Sequence, residues 1–99
     1  MITEIAYIKI DPARAMEFEA AVAGAAPHFQ SAAGCHGMRL ERVVEDPSCY
    51  RLSVDWESVE HHTITFRESE GFQRWRDFAG RFFIEPPRVE HWNRAGAFF

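Results

Sequence analysis

One lysine, Lys9, one asparagine, Asn93, and two cysteines, Cys35 and Cys49, are all that the 99-residue chain carries of these residue types. Positive charge rests almost entirely on arginine and is outweighed by acid, leaving a net charge of −4. Electrostatics therefore supplies no drive toward nucleic acid or an anionic membrane surface. No apolar run approaches the roughly 18 residues of a membrane span. The opening residues place Glu4 early and have no basic segment ahead of an apolar one, as a secretory signal would. A turn at Glu45-Asp46-Pro47-Ser48 would set Cys49 beside Val44 and leave Cys35 far along the other strand, too distant for a disulfide. Free thiols and the lack of a signal lead to the expectation of a cytoplasmic protein.

Several nucleotide, hydrolase and metal signatures are also missing. There is no Gly-rich phosphate loop, no nucleophile elbow, no CxxC pair and no HExxH. His61 and His62 are adjacent, so on a helix they diverge by about 100° and do not share one metal ion. The expectation is a protein without metal or bound cofactor.

What is present is apolar and aromatic. Hydrophobic residues make up 46% of the chain and aromatics 14%, with nine phenylalanines. Such a chain folds, and its length allows one domain, residues 1–99, with little room for a deep enclosed site. Ile2–Ile10 reads as a central strand: Ile2, Ala6, Ile8 and Ile10 share one parity, while Ile5 and Tyr7 give the other face apolar character. Asp11-Pro12 opens a helix over Ala13–Ala25, with Phe18, Ala21, Val22 and Ala25 as its buried stripe. Pro27 should kink or restart it, and Gly34 ends the segment. Cys35–Val44 and Cys49–Trp56 alternate as two strands, and the simplest hairpin register sets Arg42 opposite Arg51. Ser58 and Ser69 can each cap a helix, the first carrying Val59, His62 and Phe66, the second Phe72, Trp75, Ala79 and Phe82. Arg88–Asn93 closes the order as a short strand after Pro86-Pro87.

The order β-α-β-β-α-β is the ferredoxin-like α+β plan: an antiparallel four-stranded sheet with helices on one face. Its other face reads as too apolar for water. A second copy packed sheet to sheet, a homodimeric α+β barrel, is the economical way to cover it.

Within this plan His62 is either a core histidine or a pocket-facing base. Trp75 is either core or the wall of a flat ligand's site. His91 should point away from its neighbours Glu90 and Trp92, so no histidine–carboxylate dyad follows from local sequence.

The run Trp56-Glu57-Ser58-Val59-Glu60-His61-His62, followed by Phe66, Ser69, Phe72, Trp75, Phe82-Phe83 and Pro86-Pro87-Arg88-Val89-Glu90-His91, resembles the antibiotic biosynthesis monooxygenase family. The resemblance implies a dimeric α+β barrel with a pocket in each protomer between sheet and helices. It also implies a monooxygenase that oxidises a small aromatic or polyketide-like molecule with O2 and no cofactor, the substrate supplying the electrons. On that reading His62 and Tyr7 are the candidate catalytic residues, and Trp75, Phe66, Phe72 and Arg76 the candidate substrate contacts. A non-redox enzyme or a ligand-binding barrel on the same scaffold remains open. The haem-degrading branch of the superfamily needs an Asn on the first strand with a Trp and a His in the second helical region, and these positions do not match here. Haem is therefore not expected.

Overall fold

The computed structural model describes residues 1–99. Four strands, β1 (Ile2–Lys9), β2 (Cys35–Arg42), β3 (Cys49–Trp56) and β4 (Arg88–Trp92), form one antiparallel sheet in the order β2-β3-β1-β4. Helix α1 (Ala15–Gln30) and helix α2 (Glu70–Ala79) pack on one face. The sequence caps the turn that leads into α1 and the start of α2 itself. Asp11 accepts from the Ala13 N–H ahead of a Pro12–Arg14 3-10 turn, and Ser69 accepts from the Phe72 N–H. Both place a side-chain oxygen on an amide the helix leaves unpaired.

The core is the inward parity of the sheet against both helices. Ile8, Ile10, Leu52, Val54 and Trp56 meet Phe18, Val22, Phe29, Trp75 and Phe82. Phe18 is fully buried, edge-on to Tyr50 at 4.9 Å and to Phe82 at 5.8 Å. Gly34, entering β2, has φ +78°, and a Cβ there would lie 2.4 Å from the His61 ring. Only glycine meets both demands.

Three local expectations are corrected. First, Pro27 does not end or restart α1, which runs through it to Gln30. Pro27 lies in the last turn, where few bonds remain to lose. Burial of Phe29 against Phe66 and Trp75 holds that turn in place. Second, the hairpin register is one residue away from the simple one. Glu41 faces Arg51, at 2.6 Å between Arg51 Nη2 and Glu41 Oε1, and Arg42 faces Tyr50. This register sets Leu40 opposite Leu52 and Met38 opposite Val54 on the core side, and a bulge at Cys35/Gly37 absorbs the offset. Third, His61–Phe66 is not an ordinary helix but a π-helical turn, closed by the Arg67 N–H on the His62 carbonyl at 3.2 Å.

The helix-free sheet face is more polar than the strand parities imply. Arg39 binds Asp55 at 2.8 Å, Thr3 donates to the same carboxylate at 2.8 Å, and Arg88 pairs with Glu90 at 3.0 Å. Ile5, Tyr7 and Trp92 lie among these pairs, and Arg88 sits 4.1 Å over the Tyr7 ring. The alternation carried Ile5 and Tyr7, but the partner strands bring arginines and carboxylates to the same face. Residues 93–99 have no regular structure, and Phe98 and Phe99 are exposed. No helix is long and apolar enough to cross a membrane. Both cysteines are free.

Candidate active site

A cavity of about 930 Å³ opens between the sheet and α2. Glu4, Ala6 and Ile8 of β1 form its floor with Val89 of β4; Phe72, Trp75 and Arg76 of α2 form its wall; His62 and Arg67 also line it. Each is there for a local reason. Glu4, Ala6 and Ile8 occupy the parity that faces the helices. Phe72, Trp75, Arg76 and Ala79 recur at helical spacing on α2. The wider π-helical turn carries His62 and Phe66 inward together.

Glu4 is the unexpected member. It is 6% exposed, on a strand otherwise apolar at that parity, and burial pushes its carboxyl up to about 7, against a lowering hydrogen bond from Trp56 and the weaker pull of Arg67. Trp56 Nε1–H donates to Glu4 Oε1 at 3.0 Å, and His62 Nε2 lies 3.4 Å from the same oxygen. The Trp56 and His62 rings stack at 5.7 Å. His62 is itself 3% exposed, and desolvation, then His91 and Arg67, push it down to about 4. The imidazole is neutral at pH 7, so its contact with Glu4 is not an ion pair. Its other nitrogen, Nδ1, shares a 2.9 Å hydrogen bond with Nε2 of His91. His91 stands directly across from Glu4 in the β1–β4 ladder.

The sequence-based candidates divide. His62, Trp75, Phe72 and Arg76 line the one cavity. Trp75 is also core, edge-on to Phe29 at 5.4 Å, so its two readings describe two sides of one ring. Tyr7 does not join them. Its odd position on β1 puts it on the helix-free face, where it borders another cleft of about 570 Å³ together with Lys9, Arg51 and Arg88. Phe66 does not line the main cavity either. It is 2% exposed and packed among Phe29, Trp56 and Phe72. His36 turns to Glu57 and His61 to Ser58, away from the site.

Sequence reasoning does not single out Glu4, although an acid between Ile2 and Ala6 in an inward parity is the signal that finds it. His91 does point away from Glu90, as alternation requires, and its partner is His62 of the π-helical turn, whose other nitrogen lies beside Glu4. Glu4, His62 and His91 are strung in a line rather than gathered round one point, and no group of metal-binding geometry forms.

Comparison with known proteins decides the family. Residues 1–77 match the model of the antibiotic biosynthesis monooxygenase family. The chain belongs to the antibiotic biosynthesis monooxygenase family. The uncharacterized protein YczJ of Bacillus subtilis is 36% identical over 93 residues, 94% of this chain and 98% of its own. A crystal structure from Bordetella bronchiseptica with the same family description is 49% identical, with a TM-score of 0.92 over 95% of this chain and 96% of that one. The monooxygenase from the gene ActVA-Orf6 of Streptomyces coelicolor, solved in complex with nanaomycin D, superimposes with a TM-score of 0.82 over 99% of this chain and 90% of its own, at 16% identity. At that identity the likeness is one of fold. The ferredoxin-like α+β architecture of the family is thus the architecture of this chain.

Proposed function

We propose that this family member is a monooxygenase that oxidises a small aromatic, polyketide-like phenol with O2, needing neither metal nor flavin, in the cavity between the sheet and α2. The observation that carries the reading is Glu4. A carboxyl raised to about 7 on the floor of a cavity with an aromatic wall is a base matched to an acidic phenol or its keto tautomer.

The chemistry balances without an added reductant. The Glu4 carboxylate removes a proton from an activated CH2 of the substrate. The resulting anion gives one electron to O2, and the radical pair joins through a new C–O bond. The peroxide so formed takes the proton back from Glu4. Loss of the remaining C–H proton and cleavage of the O–O bond release water and leave a carbonyl. One oxygen atom enters the product, the other leaves as water, and the substrate carbon supplies all the electrons. Arg67 and Arg76 bring positive charge to the anion, and Phe72 and Trp75 offer flat apolar contact that excludes water.

An oxygen electrode tests this with hydroxylated anthrone-type phenols. O2 uptake equimolar with substrate loss is expected, with Glu4→Gln lowering kcat about 100-fold or more. Saturable binding without O2 uptake would assign the cavity to ligand binding or a non-redox reaction.

We also propose a homodimer, formed through the helix-free sheet face. Trp92 is 52% exposed there, and the neighbouring pairs Arg39–Asp55, Arg51–Glu41 and Arg88–Glu90 leave their outer edges free to meet a second copy. Light scattering at micromolar concentration should give twice 11.4 kDa. A mass of 11.4 kDa would remove the barrel.

A further inference from the structure

We infer that Glu4, His62 and His91 form a proton relay that connects the floor of the cavity with solvent at β4. The inference rests on the proposed site only in needing Glu4 to face the cavity; it does not need the oxygenase chemistry.

Three observations carry it. The three side chains follow one another in a row: Glu4 Oε1 lies 3.4 Å from His62 Nε2, and across the imidazole His62 Nδ1 shares a 2.9 Å hydrogen bond with His91 Nε2. Exposure rises along it, from Glu4 and His62, both buried, to His91, which is exposed. And β4 has no need of a histidine at that position for packing, since His91 is outside the buried core. The first contact is not a hydrogen bond in the free protein, so the relay needs the Glu4 carboxyl and the His62 ring to align when the cavity fills, as catalytic hydrogen bonds commonly do.

An imidazole passes a proton by taking one on one nitrogen and giving one from the other. With Glu4 protonated, its O–H is directed at His62 Nε2, His62 Nδ1–H donates to His91 Nε2, and His91 carries its own proton on Nδ1. Transfer along the row leaves Glu4 a carboxylate, His62 protonated on Nε2, and His91 on Nε2, with the Nδ1 proton of His91 lost to water. One proton has moved from the cavity to solvent and no charged imidazole persists. That suits His62, whose burial disfavours the imidazolium. Without such a route, a base sealed under the helices would have to exchange its proton through the substrate. The other charged or titratable groups facing the pair are Arg67 beside His62, Cys35 on β2, and Arg76, Asp77, Arg81 and Glu85 across the cavity. None of their side chains bonds to the side chain of Glu4 or His62.

Two measurements test the relay. The first uses the free protein and 15N NMR of the histidine rings. His62 should be protonated on Nδ1 below the Glu4 midpoint of about 7 and on Nε2 above it. His91→Ala should abolish the exchange while the protein stays folded. A His62 tautomer that does not change as Glu4 titrates overturns the relay, whatever the enzyme's reaction. The second uses O2 uptake in dilute buffer. His91→Ala should lower kcat about tenfold at unchanged KM, and added imidazole should restore it. A wild-type kcat in dilute buffer, or a loss that imidazole does not restore, overturns the relay. If no phenol gives O2 uptake, the oxygenase reading fails alone, and the NMR titration still decides the relay.

Discussion

Glu4→Gln should raise the melting temperature at pH 8 by roughly 10 °C or more, and leave it unchanged below pH 4.5. Unfolded, Glu4 ionises with a midpoint of 4.5; folded, burial raises this to about 7. The native state therefore holds its proton more tightly, and stability falls as pH rises from 4.5 through 7. Above that window the buried carboxylate costs about 3 kcal/mol, which a neutral amide avoids. Gln also keeps an oxygen for the Trp56 N–H. His62 acts in the opposite sense. Its midpoint falls from 6.5 to about 4, so its contribution is lost as pH falls through that range, in wild type and variant alike. Paired thermal melts at pH 8 and below pH 4.5 check the result. A larger gain at acid pH than at alkaline pH would mean that Glu4 is held as a carboxylate. The same substitution removes the proposed base, so the stabler protein should be the inactive one. A buried acid kept at a thermodynamic cost is what a functional group looks like in a fold selected for more than stability.

Phe18→Ala should cost about 3–5 kcal/mol, a large part of the stability of a domain this size. Its ring is fully buried and wedged against Tyr50 and Phe82, so removal leaves a closed void. Trp75→Ala should cost less, although the side chain is larger. One side of the indole packs on Phe29, but the other already borders the cavity, so truncation enlarges an existing space rather than opening a new one. Ligand affinity should show the reverse order, falling at least about tenfold for Trp75→Ala and little for Phe18→Ala at temperatures where both are folded. Urea unfolding and a fluorescence titration with an aromatic phenol measure both quantities. An equal stability cost at the two positions would mean that Trp75 is sealed on all sides.

The sequence by itself determined the element order, the Asp11 cap of the turn that leads into α1, the Ser69 cap of α2 and the inward stripes of both helices. These follow from short-range rules: a capping side chain reaches two or three residues, and parity and helical spacing sort side chains by face. Phe72, Trp75 and Arg76 share a surface of α2 by spacing alone, while His62, on a separate turn, joins them only through the fold. Tyr7 was legible too as odd-numbered on β1, and its parity opposes a place on the floor beside Ala6 and Ile8. The tertiary structure decided what spacing cannot carry. The hairpin register was chosen by Leu40 meeting Leu52 and Glu41 meeting Arg51, contacts that exist only after the strands pair. Pro27 stayed helical because Phe29 is gripped by residues from the other end of the chain. Most of all, the Glu4–His62–His91 row joins a strand at the start of the sequence, a turn in its middle and a strand near its end. Their chemistry is a property of burial and of distances of about 3 Å, and neither exists until the sheet and helices close around them.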